Sequence, residues 1–488
     1  MLETSRLMRD DRATIDGTRE HRAGARRTVR ELSALVLAWS REQPDRAGEV
    51  ALIGGEQILG RGGPRPEDGL PRAAFVQQRP GSSTLTGPLD SLRVSRVQLH
   101  LAPRGEAIAV ESIGRCPLLV NGESVLRAEV KPGDTVELED ELVFLVARRP
   151  EHMPELASLR LDGELRFGAA DRFGLVGETP AAWALRDQLA FAARAEGHVL
   201  VHGESGTGKE LCAAAIHGLS VRGARPLVAR NAATFPAGLV DAELFGNAKN
   251  YPNPGTAERD GLIGEADGTT LFLDEIGELP AALQAHLLRV LDRDGEYQRL
   301  GDSRLRRADL RVVAATNRAV SELKHDFAAR FLIQIEVPPL SVRAADVPLL
   351  VRHLLSQIAA GNDPVRRRFC EPGDPARPRV APALIDRLLR HRYPTNTRGL
   401  AQILWQAVAD SRGDTVELTA GVAQQLAQAA PAAPTAEIDR LQIEAALSAA
   451  QGNVTRAARA LGVKNRFALY RLMKKLGVDP GTGGDATE

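Results

Sequence analysis

The stretch V-L-V-H-G-E-S-G-T-G-K-E, residues 199–210, decides how the rest of the chain is read. An apolar run ends at His202, glycines follow at Gly203, Gly206 and Gly208, and Lys209 precedes an apolar-periodic segment, Leu211 to Leu219. That order predicts a strand, a turn and a helix. Glycines let the backbone from Gly203 through Glu204, Ser205, Gly206, Thr207 and Gly208 fold tightly, so that successive N–H groups converge on a phosphate chain. The helix N-terminus and Lys209 add positive charge. The ligand implied is a nucleoside triphosphate. Glu210 stands where the usual pattern has a Ser or Thr hydroxyl for magnesium, so support must come from elsewhere in the chain.

It comes from T-T-L-F-L-D-E-I, residues 269–276, where a strand-like run delivers Asp274 and Glu275 to its C-terminal end, the place where open α/β sheets bind ligands. Asp274 is placed to hold magnesium there, and Glu275 to orient or activate an attacking water. A third run, Leu310 to Thr316, ends in Thr316 and Asn317, polar groups suited to sensing a γ-phosphate.

Composition bounds the alternatives. A chain of 488 residues predicts about three domains, and 43% hydrophobic residues suffices for ordinary cores. Lys+Arg and Asp+Glu both number 63, so any DNA contact has to come from a local patch and not from overall charge. Cys116, Cys212 and Cys370 form no CxxC or Cys/His cluster, which argues against a disulfide framework or zinc site and fits a reducing compartment. No apolar run approaches a membrane span and the N-terminus lacks a signal-peptide core, so the expectation is a soluble cytoplasmic protein with no membrane contact.

Residues 1–28 are charged and without apolar periodicity, the composition of a disordered arm. From Leu32 short apolar runs alternate with turn residues: Leu32 to Trp39, Val50 to Ile53, Ile58 to Leu59, Val97 to Leu101, Ala107 to Val110, Leu118 to Val120, Val136 to Leu138 and Leu142 to Val146. This pattern predicts a β-sandwich over 29–149. Within it, Gly60-Arg61, Ser95-Arg96, Val120-Asn121-Gly122 and Pro132-Gly133-Asp134 resemble the forkhead-associated domain, a phosphothreonine-binding sandwich. The resemblance implies that Arg61 and Ser95, with the adjoining Arg96, grip the phosphate of a phosphothreonine protein. Gln98 stands where that family has His, and Gly114-Arg115-Cys116-Pro117 replaces its Ser-Thr-Asn-Gly loop.

A polar linker is expected over 150–172, then an α/β nucleotide domain over 173–345, opened by an amphipathic helix from about Ala181 to Ala195. The strings G-E-S-G-T-G-K-E (203–210), E-L-F-G (243–246), E-A-D-G-T-T-L-F-L-D-E-I-G-E-L-P (265–280), L-Q-A-H-L-L-R-V-L (283–291) and R-V-V-A-A-T-N-R (311–318) resemble the AAA+ domain of sigma-54-dependent transcriptional activators over roughly 173–410. In that family Glu follows the loop lysine, as Glu210 does here. The resemblance implies ATP hydrolysis with Mg2+ by a homo-oligomeric ring, commonly a hexamer, that acts on sigma-54 RNA polymerase. It also implies that Asn231 restrains Glu275, and that Arg330, in the second of two arginine positions, reaches the neighbour's γ-phosphate, with Lys324 in the first. The family's surface loop G-A-F-T-G-A, which contacts the sigma factor, is replaced by N-A-K-N-Y-P-N-P-G-T-A-E-R-D, with Tyr251 its only aromatic residue.

A helical lid is expected over 346–424, interrupted by an irregular Pro- and Arg-rich insertion, Gly361 to Arg379, and carrying Arg398 in the position that reads ATP from the lid. An Ala/Pro linker follows over 425–436, and then a helical domain over 437–480. Between 451 and 480, Arg456, Arg459, Lys464, Arg466, Arg471, Lys474 and Lys475 face a single acid, Asp479, an electrostatic footprint for phosphates. G-N-V-T-R-A-A-R-A-L-G-V followed by L-Y-R-L-M-K-K-L-G resembles the Fis-type helix-turn-helix, which implies contact of Lys464, Asn465, Arg466, Arg471 and Lys474 with double-stranded DNA. Three readings stay open: an ATP-hydrolysing activator acting on sigma-54 polymerase, a DNA-binding regulator whose nucleotide controls assembly without sigma-54, and a phosphothreonine adaptor with a vestigial motor.

Overall fold

The computed structural model describes residues 29–62, 69–160, 165–236, 238–292 and 295–428, with single positions between 443 and 473. The arm at 1–28 and the DNA-contact residues Lys464, Asn465, Arg466, Arg471 and Lys474 lie outside the described residues.

Twelve strands build the N-terminal sandwich: β1 (Glu31–Ser40), β2 (Val50–Ile53), β3 (Gln57–Leu59), β4 (Phe75–Arg79), β5 (Ser82–Leu85), β6 (Leu99–Arg104), β7 (Ala107–Ser112), β8 (Leu118–Val120), β9 (Glu123–Val125), β10 (Arg127–Val130), β11 (Thr135–Leu138) and β12 (Leu142–Pro150). They form an eight-stranded sheet, β5-β4-β2-β1-β12-β11-β8-β9, facing a four-stranded one, β10-β7-β6-β3. All eight apolar runs lie in strands, though the run begun at Val97 becomes strand only from Leu99. β4, β5, β9 and β10 escaped the reading because they are short and largely polar; β5 is exposed along its whole length.

β1 explains why its sequence reads as a continuous apolar run and not as an alternation. Leu35 and Leu37 point into the sandwich core, whereas Ala34, Val36 and Ala38 are equally buried on the other face. A strand buried on both faces has no polar side to show.

The second layer over that sheet comes from the next domain. There β13 (Val199–His202), β14 (Val228–Asn231), β15 (Thr270–Asp274), a small β16–β17 hairpin (Glu296–Tyr297, Arg306–Arg307), β18 (Arg311–Thr316) and β19 (Ile333–Glu336) alternate with α1 (Pro180–Arg194), α2 (Lys209–Gly218), α3 (Val240–Phe245), α4 (Gly261–Glu265), α5 (Ala281–Leu291) and α6 (His325–Ala328). The main sheet is parallel, in the order β14-β15-β18-β13-β19. The lid consists of α7 (Val347–Ala360), α8 (Asp363–Phe369), the hairpin β20–β21 (Cys370–Glu371, Asp374–Pro378), α9 (Pro382–Leu389), α10 (Asn396–Asp410) and α11 (Ala420–Gln428).

The insertion at 361–379, expected to be irregular, is therefore mostly regular secondary structure, a helix and a hairpin. Asn362 caps α8 by accepting the Val365 N–H, a proline opens that helix, and Gly373 makes the hairpin turn at φ 84°. Val347, Leu350, Leu384, Ile385 and Leu388 of the lid share one apolar core with Ala34, Val36, Val50, Val143 and Leu145 of the sandwich. Trp39 Nε1 donates to the Val380 carbonyl at 2.9 Å, and Asp45 pairs with Arg166, Arg352 and Arg377. Within 150–172, Met153 and Phe167 are buried. Toward the C-terminus, Ile443, Leu447, Ala457, Leu469 and Met473 gather in a small core.

Candidate nucleotide site

Strand register places the site. Val199 pairs with Val313 and His202 with Thr316, while Asn231 pairs with Asp274, so the C-terminal ends of four parallel strands arrive level. Immediately beyond β13 the loop turns through three left-handed glycines, Gly203, Gly206 and Gly208, at φ 151°, 75° and 98°. Glycine is also required sterically: a Cβ on Gly206 would lie 2.2 Å from the Thr395 carbonyl oxygen.

Among the described residues, no protein acceptor takes the backbone N–H groups of Ser205, Gly206, Thr207, Gly208 or Lys209. Such a row of inward donors at a helix start is what a phosphate chain requires. Lys209 is buried and donates through Nζ to the Gly203 and Glu204 carbonyls at 2.9 and 3.1 Å. Burial lowers its pKa, opposed by the nearby carboxylates Glu275 and Asp274. Thr207 Oγ1 donates to the Glu204 carbonyl, and Glu210 points outward.

Asp274 ends β15 with Oδ1 accepting the Glu275 N–H at 2.9 Å and Oδ2 accepting from Asn231 Nδ2 at 3.4 Å. Glu275 sits in the left-handed region at φ 51°, and its Oε1 accepts from Asn317 Nδ2 at 3.3 Å. The expected Asn231–Glu275 restraint is thus replaced here: Asn231 holds the aspartate, and Asn317, one strand over, holds the glutamate. Thr316 is fully buried and its hydroxyl oxygen accepts the Arg318 N–H.

The lid closes on this loop through Asn396 and Thr397, to which the sequence assigned no role, together with the expected Arg398. Asn396, fully buried at φ 49°, donates to Glu204 Oε2 and the Ser205 carbonyl at 2.9 and 3.0 Å, and its Oδ1 accepts the Leu340 N–H at 2.7 Å. Thr397 donates its N–H to the Gly206 carbonyl, and Arg398 Nη1 reaches Ser205 Oγ at 3.1 Å. The signal available was an Asn at the start of a helix, between two threonines.

Arg330 is not in this site. It lies near the N-terminal ends of the same strands, paired with Asp292 at 2.8 Å and lining a cavity of about 1120 Å³ with His198, Arg222 and Arg311. Lys324, the other residue of that stretch, is exposed at the start of α6.

The loop in the place of G-A-F-T-G-A folds back on itself. Asn247 pairs with Arg259 through both backbone groups, and its Nδ2 donates to the carbonyls of Ala248, Tyr251 and Ala257. Asn250 accepts the Gly255 N–H, the ring of Tyr251 packs on Gly301, and Arg299 pairs with Glu258 and Asp260.

At the rim of the sandwich, Arg61 and Ser95 are backed together, the Arg61 N–H donating to the Ser95 carbonyl at 3.1 Å. A Cβ on Gly60 would collide with the Arg96 carbonyl, which is why a glycine precedes the arginine. Ser95 Oγ accepts the Arg115 N–H, and Arg96 is exposed. Gln98, in the histidine position, is buried and braces the two loops: its Oε1 accepts the Ser95 and Cys116 N–H groups and its Nε2 donates to the Cys116 carbonyl.

A parallel sheet carrying a glycine-rich phosphate loop after β13, an Asp-Glu pair at the end of β15 two strands over and a helical lid closing over the loop defines a P-loop ATPase domain of the AAA+ class. Residues 175–341 match the sigma-54 interaction domain, and residues 435–476 match the bacterial regulatory protein, Fis family. The transcriptional regulatory protein ZraR of Escherichia coli K12 is 36% identical over 327 residues, covering 64% of this chain and 71% of that protein. The Nif-specific regulatory protein of Azotobacter vinelandii is 37% identical over 331 residues, covering 63% of this chain and 61% of that protein. A crystal structure of NtrX from Brucella abortus in complex with ATP is 29% identical, with a TM-score of 0.45, and covers 62% of this chain and 69% of that one. The chain belongs to the family of sigma-54-dependent transcriptional activators. Among the described residues, no helix is long and apolar enough to cross a membrane.

Proposed function

We propose that this protein is an ATP-hydrolysing, DNA-binding regulator of transcription initiation that works as a homo-oligomeric ring on sigma-54 RNA polymerase. The observation that carries the reading is the row of unpaired loop N–H groups that runs into Lys209, with the Asp274 and Glu275 carboxylates near that lysine. In this reading the N–H groups of Ser205 to Lys209 bind the phosphates of ATP, and Lys209 exchanges its carbonyl partners for phosphate oxygens. Asp274 holds Mg2+, which supplies charge neutralisation on the phosphates when bound. Glu275, released by Asn317, orients the attacking water. Arg398 reads the nucleotide from the lid. Arg330, remote from the loop of its own chain, serves the site of an adjacent copy, in a ring that is commonly a hexamer in this family. The C-terminal helices place Lys464, Asn465, Arg466, Arg471 and Lys474 on double-stranded DNA. The test is Glu275→Gln, which should retain ATP binding while turnover falls by about 10²–10⁴. Unchanged turnover overturns the assignment.

A second reading, in which nucleotide controls assembly and sigma-54 is not engaged, is favoured by the self-bonded loop around Asn247. Trapping with ADP and aluminium fluoride separates the two: a stable complex with purified sigma-54 excludes the second, and its absence beside robust ATPase activity excludes the first. For the sandwich we propose phosphothreonine recognition by Arg61, Ser95 and Arg96, supported by the packing that Gly60 permits. Arg61→Ala should abolish binding of phosphothreonine peptides, and unaltered binding sinks that role.

A further inference from the structure

The lid helix α10 has two faces. Leu400, Ile403, Leu404 and Ala407 are buried in the lid core, whereas Arg398, Gln402, Trp405 and Ala409, at i, i+4, i+7 and i+11, form an exposed stripe along the opposite side. The stripe begins at the phosphate loop, where Arg398 Nη1 meets Ser205 Oγ. At about 1.5 Å of rise per residue, Trp405 stands about 10 Å further along it. An indole is a large apolar surface to leave 50% exposed. The other two tryptophans of the chain are placed differently: Trp183 is buried, and Trp39 is half-buried with its Nε1 bonded to the lid.

The cavity that holds Arg330 supplies a surface of matching chemistry. Its lining includes the buried Val290, Leu291 and Leu310, and it carries Val221 and Leu332, which are 99% and 83% exposed. Arg194, Arg222 and Arg330 line it as well, Arg222 paired with Asp309 and Arg330 with Asp292. A guanidinium held at its edge by a carboxylate still offers its flat face to an aromatic ring. Apolar surface between arginine faces is what receives an indole, and Trp and Arg are the residues that carry most binding energy at protein interfaces. Carboxylates line the cavity nearly as often as arginines, so it is not a site for a free anion.

Arg330 lies near the N-terminal ends of the parallel strands and the phosphate loop at their C-terminal ends, so one chain cannot bring the two features together. A copy that delivers its Arg330 to a neighbour's loop sets its cavity beside that loop, within the length of an arginine side chain, and Trp405 of the neighbour is about 10 Å away on the same exposed stripe. We infer that Trp405 of each copy docks in the Arg330 cavity of the adjacent copy, its indole against Leu332 and Val221 and between the arginine faces, an inference that rests on the proposed service of Arg330 to an adjacent site. The contact joins the lid closing on one nucleotide to the segment of the next copy that supplies the arginine.

Proximity tests it. Trp405→Cys and Leu332→Cys are made in separate full-length chains, mixed, and treated with a short bismaleimide; Cys116, Cys212 and Cys370 are buried and stay unreactive. With ADP and aluminium fluoride the mixture should yield a covalent pair joining one variant to the other, and neither variant alone should yield one. Trp405 is exposed, so Trp405→Ala should fold and, in dilute solution, bind ADP as the unaltered chain does. It should nevertheless need at least about tenfold higher concentration to assemble in sedimentation. Cross-linking of Trp405→Cys to itself, no cross-link in a mixture that sediments as a ring, or unchanged assembly of Trp405→Ala overturns the inference and leaves the ring standing. Weaker ADP binding by dilute Trp405→Ala overturns it too, by assigning the indole to the nucleotide. An unaltered chain that stays monomeric with ADP and aluminium fluoride overturns the ring itself, and this contact with it.

Discussion

Asn396→Ala is the substitution on which the lid's grip on the phosphate loop depends. The side chain is fully buried and makes three bonds, from Leu340 N–H to Oδ1 and from Nδ2 to Glu204 and to Ser205. Removing the carboxamide strands the buried Leu340 N–H, at a cost of about 1–3 kcal/mol. The two Nδ2 bonds contribute about 1 kcal/mol each, the low end being right for Glu204 because it is exposed. Alanine at φ 49° adds about 1 kcal/mol of left-handed backbone cost. The expected loss of unfolding free energy is about 4 kcal/mol. Asn396→Gly keeps the backbone conformation without the bonds, so it should lose about 1 kcal/mol less. Urea denaturation of the two variants measures both quantities, and amide exchange should quicken at Leu340. A loss below about 1 kcal/mol for the alanine variant, or a glycine variant less stable than the alanine one, refutes the reasoning.

Other consequences are as direct. Burial, with Arg311 beside it, pushes the His198 imidazole down to about 4, so the folded protein keeps it neutral while the unfolded chain takes up a proton near pH 6.5. Its contribution to stability is present above pH 6.5 and lost as pH falls toward 4, with a slope of up to about 1.4 kcal/mol per pH unit that His198→Gln should flatten in acid denaturation. Asn247→Ala removes the three carbonyl contacts that fold the loop back, and exchange of the amides from Ala248 to Glu258 should accelerate by at least about tenfold. Cys116, Cys212 and Cys370 are buried, with burial pushing Cys116 to about 11 and Cys212 to about 12, so a disulfide reagent at pH 8 should label none of the three until the protein unfolds.

Much of the ATPase domain could be read directly from the chain because its signals are local. The glycines of 203–208 and the strand ending in Asp274 each declare themselves within a dozen residues. The lid insertion misled because its order rests on an Asn cap and one left-handed glycine, too short a pattern for periodicity to reveal. The sandwich edge strands were missed for a related reason: their pairing partners, not their own side chains, make them strands.

By itself the sequence determined the order of the folding units and the chemistry of the phosphate loop, since backbone freedom at glycine and alternation of apolar residues are properties of short segments. Tertiary structure alone decided which asparagine holds Glu275, that Asn396 ties the lid to Glu204, that Arg330 stands apart from the loop of its own chain, and that the sandwich shares its core with the lid. Each of these is a meeting of residues tens to hundreds of positions apart, fixed by packing and register, and no local pattern encodes such a meeting.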